Sequence, residues 1–180
     1  SLFMAITRSL FRTLSQHVLS PAKIVTEMNN SISDNNESNM FVTLIVGILD
    51  QETGILKLCN AGHNPPILIY PDGQVSYLEF KTQIFVGVVE DFKYSDEEVV
   101  LEKESKLFLY TDGVTEAENI NKELYGEEKL LEMLSDNASS DVRTTVNVVV
   151  DSIASHVKEA EASDDLTILL IQYEPGTANS

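Results

Sequence analysis

Two short stretches place carboxylates where they could grip a cation. Asp112-Gly113 follows the apolar run KLFLY (106–110) directly, and Asp164-Asp165 comes just before LTILLI (166–171). An aspartate at the end of a rigid buried strand is held in a fixed position. The glycine after it lets the backbone turn and lets another group come close. Two adjacent carboxylates repel one another unless something positive sits nearby, yet no lysine or arginine lies within five residues of Asp164-Asp165 on either side. Taken singly, each stretch also reads as a plain turn or a solvated loop. Taken together, they put aspartates at the ends of two apolar strands, and if those strands are antiparallel neighbours the carboxylates meet at one edge. Clustered oxygen ligands without histidine or thiolate suit a hard cation such as Mg²⁺ or Mn²⁺. A bound pair of such ions would lower the pKa of a shared water and orient a phosphoryl group.

His63 is a third candidate. A histidine suits general acid work near neutral pH, but this one sits between Gly62 and Asn64-Pro65-Pro66, a setting that equally suits a turn-stabilising group. Asn60 and Asn64 read as turn residues, and Cys59, within a strand pattern, as a small core residue.

The elements that must hold these residues follow from periodicity. Phe3, Ile6, Leu10, Leu14 and Val18 mark one face of an amphipathic helix. Ser20-Pro21 is a helix start, and Ile24, Met28 and Ile32 mark the helix that follows. The polar run 33–39 reads as a loop. Residues 41–49 and 55–60 form a hairpin across the turn 50–54, and 67–70 and 74–79 form another across Pro71-Asp72-Gly73. Strands are expected near 94–101 and at 106–110. Between 90 and 105 stand seven acidic residues and two lysines, to which we assign no chemistry beyond a solvated face. Leu130, Leu131 and Leu134 mark a third helix. Val142, Val146, Val149, Val150, Ile153 and Val157 mark a fourth, with Asp141 as its N-cap, and 166–171 is the last strand. Segregated helical and strand blocks imply an α+β fold with antiparallel sheets rather than βαβ units.

Composition narrows the function. The 180 residues carry 12 basic and 29 acidic side chains, a net charge of −17. Such a polyanion gains nothing from counterion release on DNA or RNA and is repelled by anionic lipid, so no nucleic-acid or membrane partner is expected. The hydrophobic fraction of 43% supports a globular domain. No apolar run spans a bilayer, no signal peptide is visible, and one cysteine fits a reducing compartment. We expect a cytoplasmic protein.

With these motifs in order, the chain resembles the bacterial SpoIIE-type branch of the metal-dependent protein phosphatases, the PPM superfamily. The likeness lies in LFLYTDGVTEAEN (107–119), NAGHNPPILI (60–69) and DDLTILLI (164–171), with SLFMAITRSLFR (1–12) and FVGVV (85–89) in matching places. It covers about residues 1–173, leaving 174–180 as a flexible tail. The resemblance implies an α-β-β-α sandwich, two antiparallel sheets packed face to face with helices outside. It implies hydrolysis of phosphoserine or phosphothreonine on a protein by a metal-activated water, without a phospho-enzyme, using two Mn²⁺ or Mg²⁺ ions. It places Asp112, Gly113, Asp164 and Asp165 at the metal site. Asp112 and Asp164 are the ligands there, Asp165 is a neighbour in reach of the metal, and Gly113 and Thr111 shape the turn. It does not transfer the superfamily's acid histidine to His63. It implies a phosphorylated substrate, usually a STAS-type anti-sigma-factor antagonist, and an upstream sensor or receiver domain. A non-catalytic binding module of the same fold is the alternative reading.

One departure matters. The family's Asp-x-Ser-Gly-x-Gly motif, whose aspartate bridges the metals, occurs nowhere in residues 1–180. We therefore expect a partial domain that lacks its first strands, binds metal weakly, has little activity by itself, and exposes a sheet edge that invites a homodimer.

Overall fold

In a computed structural model of the chain, the structure describes residues 2–34, 40–158, 160 and 165–176. Four helices and eight strands are found among them: α1 Leu2–Leu14, α2 Pro21–Ser33, β1 Leu44–Leu49, β2 Ile55–Ala61, β3 Ile67–Ile69, β4 Val75–Tyr77, β5 Thr82–Gln83, β6 Glu97–Val100, β7 Lys106–Tyr110, α3 Glu127–Asp136, α4 Val142–Val157 and β8 Ile168–Gln172. The α+β class is as expected. Most of the 33–39 loop lies outside the described residues.

The chain divides into two compact units, Ser1–His63 with Phe80–Val100, and Asn64–Glu79 with Leu101–Ser180. In the first, α2 packs on α1, β1 and β2. Ile24, Val25, Met28 and Ile32 bury one face of α2 against Val46, Cys59 and Ala61 of the sheet. On α1 the expected stripe is corrected at one position. Ile6 is exposed while Thr7 is buried, because a 3.6-residue turn carries position 7, not 6, onto the line of Phe3, Leu10 and Leu14. Thr7 meets its polar need by donating to the Phe3 carbonyl at 3.0 Å.

The α2 start is built as Ser20-Pro21 predicts, with the Ser20 hydroxyl accepting from the Lys23 amide at 3.2 Å. β2 is the centre of this sheet, antiparallel to β1 and β6. The expectation of purely antiparallel sheets meets one exception, the two-residue parallel pairing of β5 with β2. The first strand starts at Leu44 rather than residue 41, since Val42 instead pairs in isolation with Val86.

In the second unit the strand order is β4-β3-β7-β8, antiparallel throughout. Period-2 alternation along β7 puts Phe108 and Tyr110 together, in a core with Leu130 and Leu134 of α3, Val149 and Ile153 of α4, and Leu170 of β8. Asp141 caps α4 as expected, accepting from the Arg143 and Thr144 amides. Lys106, buried at the start of β7, donates its Nζ to the carbonyls of Ala138 and Ser140 and so satisfies the α3–α4 turn. Burial pushes its pKa below the usual lysine value, and nearby Asp141 opposes that fall.

Candidate metal site

The end of the β7–β8 ladder is where two of the candidate aspartates arrive. β7 is mostly buried, and at Tyr110 it still pairs with Ile168. One residue later the Thr111 amide donates to the Thr167 carbonyl at 3.1 Å, which adds half a rung. The reciprocal bond does not go to the backbone. The Thr167 amide donates to the Thr111 hydroxyl at 3.1 Å, and that hydroxyl donates to the Asp165 carbonyl at 3.2 Å. The Thr111 carbonyl is thereby free to accept from the Val114 amide at 3.0 Å, and the Asp112 carbonyl accepts from the Glu116 amide at 2.8 Å. These bonds close the turn that carries Asp112. This also explains why β8 starts at Ile168 and not at the expected residue 166: its ladder partner at 111 is a side chain.

The turn is anchored from below, with Val114 and Ala117 buried in the core. Gly113 is buried and does not use left-handed backbone, so the turn does not call on the conformational freedom of glycine here. Its amide donates to Asp112 Oδ1 at 3.0 Å. Asp112 and Asp165 are both exposed. Asp112, Gly113 and Asp165 are thus brought to one corner, while Asp164 lies outside the described residues.

The donors at this corner are oxygen only, which fits a hard divalent cation and no thiophilic one. Among the described residues no three His, Cys, Asp or Glu side chains converge into a group that could hold a metal ion. Beside the turn opens a cavity of about 810 Å³ whose lining includes Glu116, Glu127, Glu128 and Glu132 against the single Lys129. A phosphate entering there meets net negative charge.

His63 lies in the first unit. Its amide and carbonyl are both held by the Asn60 side chain, at 2.8 Å each, and its Nδ1 is 3.3 Å from the Thr43 hydroxyl. These bonds support the turn-stabilising reading of His63 and the turn role of Asn60. Cys59 is buried, as expected of a core residue, and burial pushes its thiol up to about 12. Asp96, in the acidic stretch to which the sequence assigned no chemistry, caps α2. Thr167 hydrogen-bonds just ahead of β8, its amide donating to the Thr111 hydroxyl. What the residues understated is the Thr111 hydroxyl; the visible signal is a threonine directly before Asp112 and another two residues after Asp165.

Against known proteins, the family model described as Stage II sporulation protein E (SpoIIE) matches residues 1–174. Protein IcfG of Synechocystis is 24% identical, over 95% of this chain and 31% of its own length. Phosphoserine phosphatase RsbU of Bacillus subtilis is 22% identical, over 96% of this chain and 51% of its own. The chain therefore spans about half or less of these relatives. Among solved structures, the SiaA-PP2C domain of Pseudomonas aeruginosa superposes with a TM-score of 0.82 at 21% identity, covering 96% of this chain and 70% of that one. RsbX in complex with magnesium superposes with a TM-score of 0.64 at 18% identity, covering 93% and 71%. No described helix is long and apolar enough to cross a membrane.

Proposed function

The chain belongs to the SpoIIE family, and from that membership we propose that it is part of a metal-dependent phosphatase acting on phosphoserine or phosphothreonine in a regulatory protein. The observation that carries this reading is the Thr111–Asp165–Thr167 junction, which ties the Asp112 turn to the Asp165 backbone at the end of the mostly buried strand β7. In this reading Asp112 and Asp164 hold Mn²⁺ or Mg²⁺, with Asp165 in reach and Gly113 leaving room. The bound ions would supply positive charge to a phosphoryl group and an acidified water. That supply is needed here, because a chain of net charge −17 with glutamates beside the turn repels a phosphate dianion unaided.

The protein's own residues have three tasks. Asp112 is fixed by the turn bonds from Val114 and Glu116. Asp165 is fixed through its carbonyl by Thr111. The core beneath, Phe108, Tyr110 and Val114, keeps the strand end rigid, so that the carboxylates do not have to be ordered when an ion arrives. His63 serves its turn and takes no proton-transfer role. The substrate we propose is a phosphorylated STAS-type anti-sigma-factor antagonist, met in a parent chain with a sensor or receiver domain ahead of this one. RsbU, named a phosphoserine phosphatase, and the magnesium-holding RsbX support the substrate chemistry and the ion class.

The test is phosphate release from a phosphoserine protein of this class by the parent protein, with and without Mn²⁺. Metal-dependent release is expected, and no release with metal present would overturn the proposal. The absence of a three-ligand group among the described residues favours one second reading, a binding module of the same fold that holds the phosphoprotein without hydrolysing it. Tight binding of the phosphoprotein with no turnover by the parent protein would decide for it.

A further inference from the structure

We propose that Thr111 is a positioning residue, whose hydroxyl couples the Asp112 turn to the Asp165 loop and sets the spacing of their carboxylates. This rests on reading the corner as a metal site. An ordinary antiparallel ladder would exchange two backbone bonds between residues 111 and 167. Here only one is made, Thr111 amide to Thr167 carbonyl. The backbone carbonyl of Thr111 accepts from the Val114 amide of the turn, and the Thr167 amide is directed to the Thr111 hydroxyl instead. The hydroxyl takes over the ladder bond from the Thr167 amide and spends its own proton on the Asp165 carbonyl. A single side chain thus closes one loop's register while tying down the other.

Valine keeps the shape and strand preference of threonine but can neither donate nor accept, whereas serine keeps both functions. The substitution leaves the Thr167 amide and the Asp165 carbonyl without their partner. The loop holding Asp165 then loses its tie to Thr111 and is held less tightly against Asp112, and a cation must offset that on binding.

The test compares wild type, Thr111→Val and Thr111→Ser in two measurements: amide hydrogen exchange without metal, and calorimetric titration with Mn²⁺. Thr111→Val is expected to speed exchange of the Thr167 amide about tenfold, with α3 and α4 unchanged, and to weaken Mn²⁺ binding about tenfold. Thr111→Ser is expected to match wild type in both. Unchanged exchange at Thr167 in Thr111→Val overturns the coupling, as does a well-folded Thr111→Ser protein that has lost it. If Thr111→Val fails to fold, the serine protein and the protection of the Thr167 amide in the wild type still decide. Absence of Mn²⁺ binding by the wild type counts against the metal reading, while the exchange data judge Thr111 separately.

Discussion

The carboxylate of Asp96 caps a helix whose N-cap residue lies 76 residues earlier in the chain: Oδ2 accepts from the Ser20 hydroxyl at 2.7 Å, and Oδ1 from the Ala22 amide at 2.5 Å. The first amides of a helix have no partners within it, and the macrodipole favours negative charge there. Ser20 already caps Lys23, so Asp96 adds a second, charged cap and ties the β6 approach to α2. Asp96→Ala is expected to cost about 1–2 kcal/mol in urea unfolding and to speed exchange in the first turn of α2. Asp96→Asn, which keeps an acceptor, is expected to lose about half as much. Unaltered exchange at Ala22 and Lys23 in the alanine protein would refute the cap.

Gly62 shows a different dependence. Its φ is +77°, and a Cβ placed there would lie 1.9 Å from Cδ1 of Phe85, whose ring stacks on Phe41 at 5.4 Å. Gly62→Ala therefore carries both backbone strain and a clash, at a cost of about 2–4 kcal/mol. Adding Phe85→Ala removes the clash and leaves the strain. The double variant is expected to be less destabilised than the two single effects summed, by about 1 kcal/mol or more. Simple additivity in thermal melts would show that the ring is not what the glycine accommodates.

Buried acids make the stability fall at alkaline pH, and two of them, Cys59 and Tyr94, stand in the first unit, as Tyr77, Tyr110 and Tyr125 do in the second. Burial, helped by the nearby Asp96 charge, raises the Cys59 thiol from 9.0 to about 12, with the Gln83 amide opposing. Burial, then the Cys59 charge, raises Tyr94 from 10.0 to about 12. Both groups hold their protons more tightly in the folded state. Their stabilising contribution is complete below pH 9 and is lost as pH rises towards about 12. Unfolding free energy is expected to fall across that window by a few kcal/mol at most, about 2–4 kcal/mol. In Cys59→Ala the fall should start about one pH unit later. Folded wild type at pH 8 should also resist iodoacetamide. Rapid alkylation there would contradict the raised thiol.

The contrast between α2 and the site corner shows what the residues reveal unaided. Ile24, Met28 and Ile32 at helical spacing, with Ser20-Pro21 ahead, identify a helix and its buried face, because side-chain periodicity and capping are local. The hairpins around 50–54 and 71–73 are legible for the same reason. Asp96 was not, since its partner lies far along the chain and its neighbours Glu97 and Glu98 make it look like one more solvated carboxylate. β5 was missed because two residues pairing in parallel leave no alternation to read. At the site, the strand-end aspartates were visible from apolar runs meeting acidic residues. The Thr111 hydroxyl was not, because its role depends on which carbonyl the turn claims, and that is settled only by the paired backbones.

The metal reading itself predicts a reversal of stability order. Asp112 and Asp165 are both exposed beside the same strand end, so in the metal reading their like charges repel when no cation is bound. Asp112→Asn removes that repulsion but keeps Oδ1 for the Gly113 amide. In metal-free buffer it should be as stable as wild type or slightly more, by up to about 0.5 kcal/mol. A cation that binds only the folded state adds stability in proportion to the logarithm of its saturation, about 2.7 kcal/mol at a hundredfold excess over the dissociation constant. Wild type should therefore melt higher as Mn²⁺ is added, while Asp112→Asn stays nearly flat, and the two curves cross. A hydrogen-bonding or purely structural role for Asp112 gives no such crossing, because the asparagine keeps the Oδ1 acceptor and would then respond to Mn²⁺ as wild type does. Parallel rises in both proteins would place the ion elsewhere on this acidic chain.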